Sequence, residues 1–100
     1  MALISSRVVG VSFGTRQAVI NELAAGDTVW LVKEPDNQYD KHAVAVETAE
    51  GESVGYLSRE TAAAVCFLLK EQKTEAKVQS VGRSPASGLL GLCVSYTVKN

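Results

Sequence analysis

The segment from Lys33 to Val46, KEPDNQYDKHAVAV, places a polar turn between two apolar runs, and this feature constrains the fold more than any other. Proline fixes φ, and Asp and Asn side chains bond to their own backbone, so the middle of the segment favours an ordered turn over strand continuation. Tyr39 is unusual there, because a bulky aromatic in a polar turn buries little area unless something packs on it. Composition alone favours a ring folded back onto the core.

The pattern along the rest of the chain predicts six short strands and two helices. We expect the strands at Ser6–Phe13, Thr28–Glu34, Ala43–Thr48, Ser53–Leu57, about Glu75–Val81 and Leu89–Val98. We expect one helix over Arg16–Leu23 with Thr15 as N-cap, and another from the cap Ser58 to about Gln72. Closely spaced short strands with two helices indicate an α+β fold built on a small, partly closed six-stranded β-barrel.

Length and composition are those of one globular domain covering residues 1–100. The hydrophobic fraction is 46% and the charged fraction 21%, both ordinary values for such a domain. No apolar run approaches the roughly 20 residues that span a bilayer, and the first residues lack the order of a secretion signal. We therefore expect a cytoplasmic chain with no membrane partner.

The charge balance restricts the ways in which this chain could bind nucleic acid. The chain has ten Lys and Arg residues and eleven Asp and Glu residues, which give a net charge of −1. Proteins that coat nucleic acid without sequence preference usually have a clear basic excess. The balance argues against broad electrostatic binding and leaves room for a small site that grips a few phosphates or one chain end.

The residue types that catalysis needs are present but not in catalytic patterns. Glu34, Asp36 and Asp40 cluster in one turn, as metal-dependent nucleases require, but the spacing of a calcium loop fails. His42, the only histidine, has no Ser or Cys motif around it. We therefore expect a protein that is not an enzyme.

The cysteines do not indicate a metal site. Cys66 and Cys93 are far apart in sequence, without a CxxC pair or a companion histidine cluster. They could form one disulfide, but isolated cysteines are more often small buried hydrophobes. A structural zinc site needs four ligands at metal spacing, so we expect no metal and no other cofactor.

The string EPDNQYDKHAVAV, followed by Val54-Gly55-Tyr56-Leu57-Ser58-Arg59-Glu60, resembles the HIRAN domain family over most of the chain. That family is known as an N-terminal module of fork-remodelling DNA translocases and, in bacteria, as short proteins or fusions. The resemblance implies an OB-like barrel decorated with two helices. It also implies a site that binds the 3′-hydroxyl end of single-stranded DNA.

The resemblance assigns a DNA-binding role to six residues. Stacking rings would be Tyr39 and Phe13, and Asp40 would accept the terminal hydroxyl. A turn amide, Asn37, would lie near the DNA backbone, and Arg59 would hold a phosphate at a helix start. Tyr56, where the animal members carry histidine, would donate to a phosphate. Three of them also have a structural alternative: Phe13 in the core, Asp40 closing the turn, and Arg59 as a solvated residue.

Two positions depart from the family pattern. Ser12 occupies the place where the animal translocase members have an arginine, and Asp36 replaces an asparagine of the turn. Both changes weaken a phosphate-binding surface. Lys33, Lys41 and Arg16 are the residues that could compensate.

Two functions remain open on these grounds. The first is a non-catalytic module that recognises single-stranded DNA 3′ ends in repair or replication restart, with a helicase or nuclease as a candidate partner protein. The second is a protein-interaction or structural module that has the fold without the DNA site, in which exposed strand edges and an apolar patch would matter more.

Overall fold

A computed structural model describes residues 2–98. Six antiparallel strands close into a barrel in the order β1-β4-β3-β2-β5-β6. The strands are β1 (Ala2–Val9), β2 (Thr28–Lys33), β3 (Val44–Thr48), β4 (Ser53–Leu57), β5 (Lys73–Arg83) and β6 (Leu90–Val98), and the helices are α1 (Arg16–Asn21) and α2 (Arg59–Val65). The predicted α+β barrel with two helices is confirmed, and the barrel is closed.

The core follows from alternation along the strands, because residues two apart face the same side of a sheet. Val29 and Leu31 of β2 point inward and are fully buried, as are Val44 and Val46 of β3. α1 packs against β4 and β6 and adds the fully buried Ile20 to this core. Trp30 of β2 is half-buried.

Strand β1 differs from its prediction at both ends. Ala2 already pairs with Val98 of β6, so the strand starts before Ser6. It ends at Val9 because Gly10 adopts a φ of +72°, which turns the chain away from the sheet. Pairing with a strand more than ninety positions away set the start, and no local signal reports such a partner.

The loop between β1 and α1 is held by one side chain. The Gln17 amide donates to the carbonyls of Val11 and Leu90, at 2.9 Å each, and its oxygen accepts the Leu90 N–H at 2.8 Å. α1 begins at Arg16 with Thr15 at the N-cap position, as predicted, but the Thr15 side chain makes no capping bond. The loop is therefore fixed to β6 rather than by its own helix cap.

Helix α2 begins as predicted and ends early. The Ser58 hydroxyl accepts the Thr61 N–H at 3.2 Å, which confirms the cap. The helix stops at Val65 rather than near Gln72. The ammonium of Lys33 donates to the carbonyls of Cys66, at 3.4 Å, and Leu69, at 2.8 Å. A distant lysine thus binds carbonyls that another helical turn would have paired.

Two further features of the described residues bear on the expectations. Cys66 and Cys93 are free thiols, both half-buried, so they form no disulfide with each other. Within residues 2–98, neither helix has the length and apolar character that crossing a membrane would require.

Candidate nucleic-acid interface

The loop between β2 and β3 is built around Asn37. Its Oδ1 accepts the N–H groups of Tyr39, at 2.9 Å, and Asp40, at 3.0 Å, while its Nδ2 donates to Glu34 Oε1 at 2.9 Å. Asp40 Oδ1 in turn accepts the His42 N–H at 2.9 Å. These bonds order the loop and leave the Tyr39 ring 86% exposed, so the inward orientation that composition favoured is wrong.

The ordered loop forms one wall of an open groove of about 390 Å³, which we call the Tyr39 groove. Its lining residues come from the loop, β4 and the start of α2: Asn37, Tyr39, Asp40, Ala43, Tyr56, Leu57 and Arg59. Five of the six residues assigned by sequence therefore lie together, and Phe13 does not line this groove.

Arg59, at the start of α2, contacts the β2–β3 loop across the Tyr39 groove. Its Nη2 donates to the Tyr39 carbonyl at 3.1 Å, and its Nε lies 3.9 Å from Asp40 Oδ2. The Arg59 side chain is 76% exposed and that of Asp40 is 21% exposed, so solvent weakens this long ion pair. Arginine carries five donors, and those not used in the loop contact are available to an anion.

Tyr56 forms the base of the Tyr39 groove, with its hydroxyl already bonded. The hydroxyl donates to Glu34 Oε1 at 3.0 Å, the same oxygen that binds the Asn37 amide. Burial raises the pKa of Tyr56, and the bond to Glu34 and its charge raise it further, while Arg16 opposes the shift. The phenol therefore stays protonated at neutral pH, and its proton is directed at a carboxylate.

Phe13 lies beside the groove and is connected to it through Arg16. The Arg16 guanidinium carbon is 5.7 Å from the Phe13 ring centre and 5.6 Å from that of Tyr56. Both distances are within the range of a cation–π contact. Arg16 also donates to the Gly10 carbonyl at 2.7 Å, and Phe13 is 67% exposed, which excludes a core position.

Gly55 allows β4 to approach β1 closely enough to place Tyr56. Its φ is +143°, and a Cβ there would lie 2.4 Å from the Val9 carbonyl oxygen and 2.8 Å from a Val8 methyl. Only glycine fits such a position. The glycine of the Gly-Tyr-Leu step thus has a packing reason that the sequence did not reveal.

The residues that could compensate for Ser12 differ in their surroundings. Lys33 binds the carbonyls after α2, Lys41 is exposed, and Arg16 lies between two rings at the groove. Ser12 and Asp36 are both exposed. Within residues 2–98, no three His, Cys, Asp or Glu side chains are placed to hold a metal ion.

The arrangement can bind a flat apolar group and an anion side by side. Tyr39 offers an exposed ring, Arg59 exposed donors, and Asp40 one carboxylate oxygen with only a long contact. The sequence did not reveal the role of Glu34, whose Oε1 accepts hydrogen bonds from both Asn37 and Tyr56. It assigned Arg16 only a compensating role. No local pattern marks Glu34, because Tyr56 is 22 positions away.

Comparisons with known proteins give one consistent result. The HIRAN domain family profile matches residues 3–97. The helicase-like transcription factor of Mus musculus is 35% identical over 71 residues, which are 71% of this chain and 7% of that protein. The same protein of Oryctolagus cuniculus is 38% identical over 66 residues, or 66% of this chain and 6% of its own length. This chain therefore spans a small part of the relatives it matches.

Two solved structures have the same fold. The crystal structure of the HIRAN domain of human HLTF superposes with a TM-score of 0.69 and 24% identity, over 99% of this chain and 78% of that one. The crystal structure of a protein from Lactobacillus plantarum gives a TM-score of 0.72 and 24% identity, over 98% of each chain.

Proposed function

Because this chain belongs to the HIRAN domain family, we propose that it is a non-catalytic module that recognises the 3′-hydroxyl end of single-stranded DNA. Membership of that family supports nucleic-acid binding as the general class and a binding rather than a catalytic domain. The observation that carries the finer proposal is the Tyr39 groove, in which an exposed ring, a carboxylate and an arginine meet.

In this proposal Tyr39 binds the terminal base. The ring is almost fully exposed, while its backbone is fixed by Asn37 and Arg59. A backbone that is fixed before binding loses little conformational entropy when a base stacks on the ring. Stacking contributes roughly 1–3 kcal/mol per base and does not depend on sequence.

Asp40 recognises the hydroxyl and Arg59 the phosphate that precedes it. Oδ1 of Asp40 is occupied by the His42 N–H, so Oδ2 is the oxygen that accepts the sugar hydroxyl. A terminal phosphate there would place two negative charges together, which disfavours phosphorylated ends. The role in repair or replication restart, in company with a helicase or nuclease, is part of the proposal.

The test compares single strands that differ only at the terminus, a 3′-hydroxyl against a 3′-phosphate, by fluorescence anisotropy at low and moderate salt. We expect tighter binding of the hydroxyl end by roughly tenfold. Tyr39→Ala should lose about 5- to 150-fold in affinity for both strands, the equivalent of one stacked base. Phe67→Ala is the control, because Phe67 is an exposed aromatic of the chain segment after α2.

Asp40→Asn tests the carboxylate without disturbing the turn. The amide oxygen can still accept the His42 N–H, so the loop keeps its shape. We expect the preference for the hydroxyl end to disappear while the overall affinity stays similar. Equal affinity of the wild-type protein for both termini, or a preference that survives in Asp40→Asn, would contradict the proposal.

One observation favours the second candidate, a protein-interaction module. Phe67 is 70% exposed, and its ring centre is 5.3 Å from that of His42. Aromatic side chains are enriched at protein–protein interfaces. No binding of either strand at low salt, with the fold intact, would favour this function.

A further inference from the structure

A second pocket, of about 390 Å³, lies on the barrel away from the Tyr39 groove. We call it the Arg7–Arg83 pocket, and its lining includes Arg7, Ser80, Gly82, Arg83, Gly91 and Cys93. We propose, on the premise of the proposed function, that this pocket binds the sugar–phosphate backbone of the strand whose 3′ end occupies the Tyr39 groove.

The lining of the Arg7–Arg83 pocket is positively charged. The pocket contains two arginines and no acidic residue in its lining, although the whole chain carries a net charge of −1. Among residues 2–98, neither Arg7 nor Arg83 forms an ion pair with a carboxylate. Arg83 Nη1 donates to the Gly88 carbonyl at 2.6 Å, which holds this side chain against the β5–β6 hairpin. A local excess of positive charge with free donors favours a phosphate.

Two paired glycines form the floor of the pocket. Gly82 of β5 and Gly91 of β6 are directly paired across the two strands. Neither has a positive φ, and a Cβ on either would meet no atom within 4 Å. Their backbone conformation and packing therefore do not require glycine. Glycine in a strand often marks a place where a ligand or another backbone approaches closely.

The pocket and the Tyr39 groove lie on neighbouring strands, since β1 lines the pocket and β4 lines the groove. Tyr56 pairs with Val9 across β4 and β1, and Val9 is 39% exposed on the outer face. The pairing of β1 with β6 ends at Arg7 and Cys93; the same register continued by two residues would bring Val9 level with Gly91. Gly82, which pairs with Gly91, would then complete a row across four neighbouring strands, β4, β1, β6 and β5.

The length of this row matches that of a short segment of single-stranded DNA. Three strand spacings separate Tyr56 from Gly82, a distance of roughly 14 Å. An OB-type barrel binds about 4–16 nucleotides of single-stranded DNA. A DNA strand whose 3′ end lies in the Tyr39 groove is therefore long enough to reach the pocket. The phosphates beyond the terminal base would then lie between Arg7 and Arg83.

The experiment measures binding of a 3′-hydroxyl dinucleotide and a strand of about ten nucleotides with the same end. NMR titration suits the dinucleotide, and fluorescence anisotropy at several salt concentrations suits the longer strand. For Arg7→Gln with Arg83→Gln, we expect the longer strand to bind roughly tenfold more weakly. Its slope of log affinity against log salt should become shallower by about 0.7 for each phosphate that the variant no longer neutralises. Affinity for the dinucleotide should stay unchanged, and Lys70→Gln should alter neither.

Gly91→Val provides a second test that does not depend on charge. Gly91 has no positive φ, and no atom lies within 4 Å of an added Cβ, so we expect the variant to keep its fold. The valine side chain would then occupy the floor of the pocket. We expect the longer strand to lose affinity and the dinucleotide to keep it. If the longer strand binds both variants as tightly as it binds the wild type, the inference is overturned.

The two proposals fail in different ways. If the proposed function is wrong, the wild-type protein will not distinguish a dinucleotide with a 3′-hydroxyl from one with a 3′-phosphate. If only the backbone-binding role of the pocket is wrong, that discrimination will hold while the arginine and glycine variants bind the longer strand normally. If the variants lose affinity equally for the dinucleotide and the longer strand, the inference is also overturned, because the substitutions would then act on the Tyr39 groove.

Discussion

Replacing Gly55 by alanine should destabilise the protein strongly. The added Cβ would lie 2.4 Å from the Val9 carbonyl oxygen, a contact that forces β4 away from β1. Overpacking of this kind costs about 1–3 kcal/mol. A φ of +143° is available almost only to glycine, and forcing another residue into such a region costs about 1–3 kcal/mol more.

The sum, about 2–6 kcal/mol, is a large part of the stability of a domain this size, which is roughly 5–15 kcal/mol. At a shift of about 4–8 °C per kcal/mol, a mid-range loss of about 4 kcal/mol lowers Tm by roughly 15–30 °C. Thermal unfolding followed by circular dichroism and urea unfolding both measure this change. Tyr56 follows Gly55 directly, so affinity for DNA ends should fall as well in any Gly55→Ala protein that remains folded.

Gly82→Ala is the matched control. It introduces the same methyl group into the same barrel, but at an ordinary strand φ and with no atom within 4 Å of the new Cβ. We expect stability equal to the wild type or higher by about 0.4–1 kcal/mol, because alanine restricts the unfolded chain. The reasoning is refuted if Gly55→Ala unfolds within about 1 kcal/mol of the wild type, or if Gly82→Ala is as damaging as Gly55→Ala.

Three further predictions concern stability. Ser58→Ala should cost about 1 kcal/mol in urea unfolding because it removes the cap of α2, whereas Thr15→Ala should cost almost nothing, and equal losses would contradict the assignment. Lys33→Met should cost roughly 1–3 kcal/mol, because it leaves the carbonyls after α2 without a donor; an unchanged unfolding midpoint would exclude that role. Burial raises the pKa of both Tyr96 and Tyr56, so the folded state holds their protons at pH values where the unfolded chain loses them. Stability should therefore fall as pH rises above about 10, less steeply in Tyr96→Phe, and a pH-independent unfolding midpoint would contradict this.

The candidate site was only partly predictable from sequence. The turn chemistry of the Asn and Asp side chains was visible, because those bonds join residues two or three positions apart. The contact between the loop and α2 was not visible, since Arg59, which donates to the Tyr39 carbonyl, lies 20 positions away. Glu34 and Arg16 were missed as organising residues for the same reason, because their contacts to Tyr56 span 22 and 40 positions.

The fold, like the site, was only partly predictable from the sequence. The element order, the cap at Ser58 and the bounds of β4 are local features, and the sequence predicted them. The carbonyls beyond the early end of α2 are bound by Lys33, and the start of β1 pairs with a strand at the other end of the chain; neither contact is local.

By itself, then, the sequence determined which segments form strands, turns and helix starts, because these depend on the φ preferences and hydrogen bonds of near neighbours. Only the tertiary structure decided which side chains meet on the outer surface of the barrel. Closure sets the register between strands that are distant in sequence, and that register pairs Tyr56 with Val9 and Gly82 with Gly91. None of these residues carries a local signal of its partner, because the two partners lie on different strands.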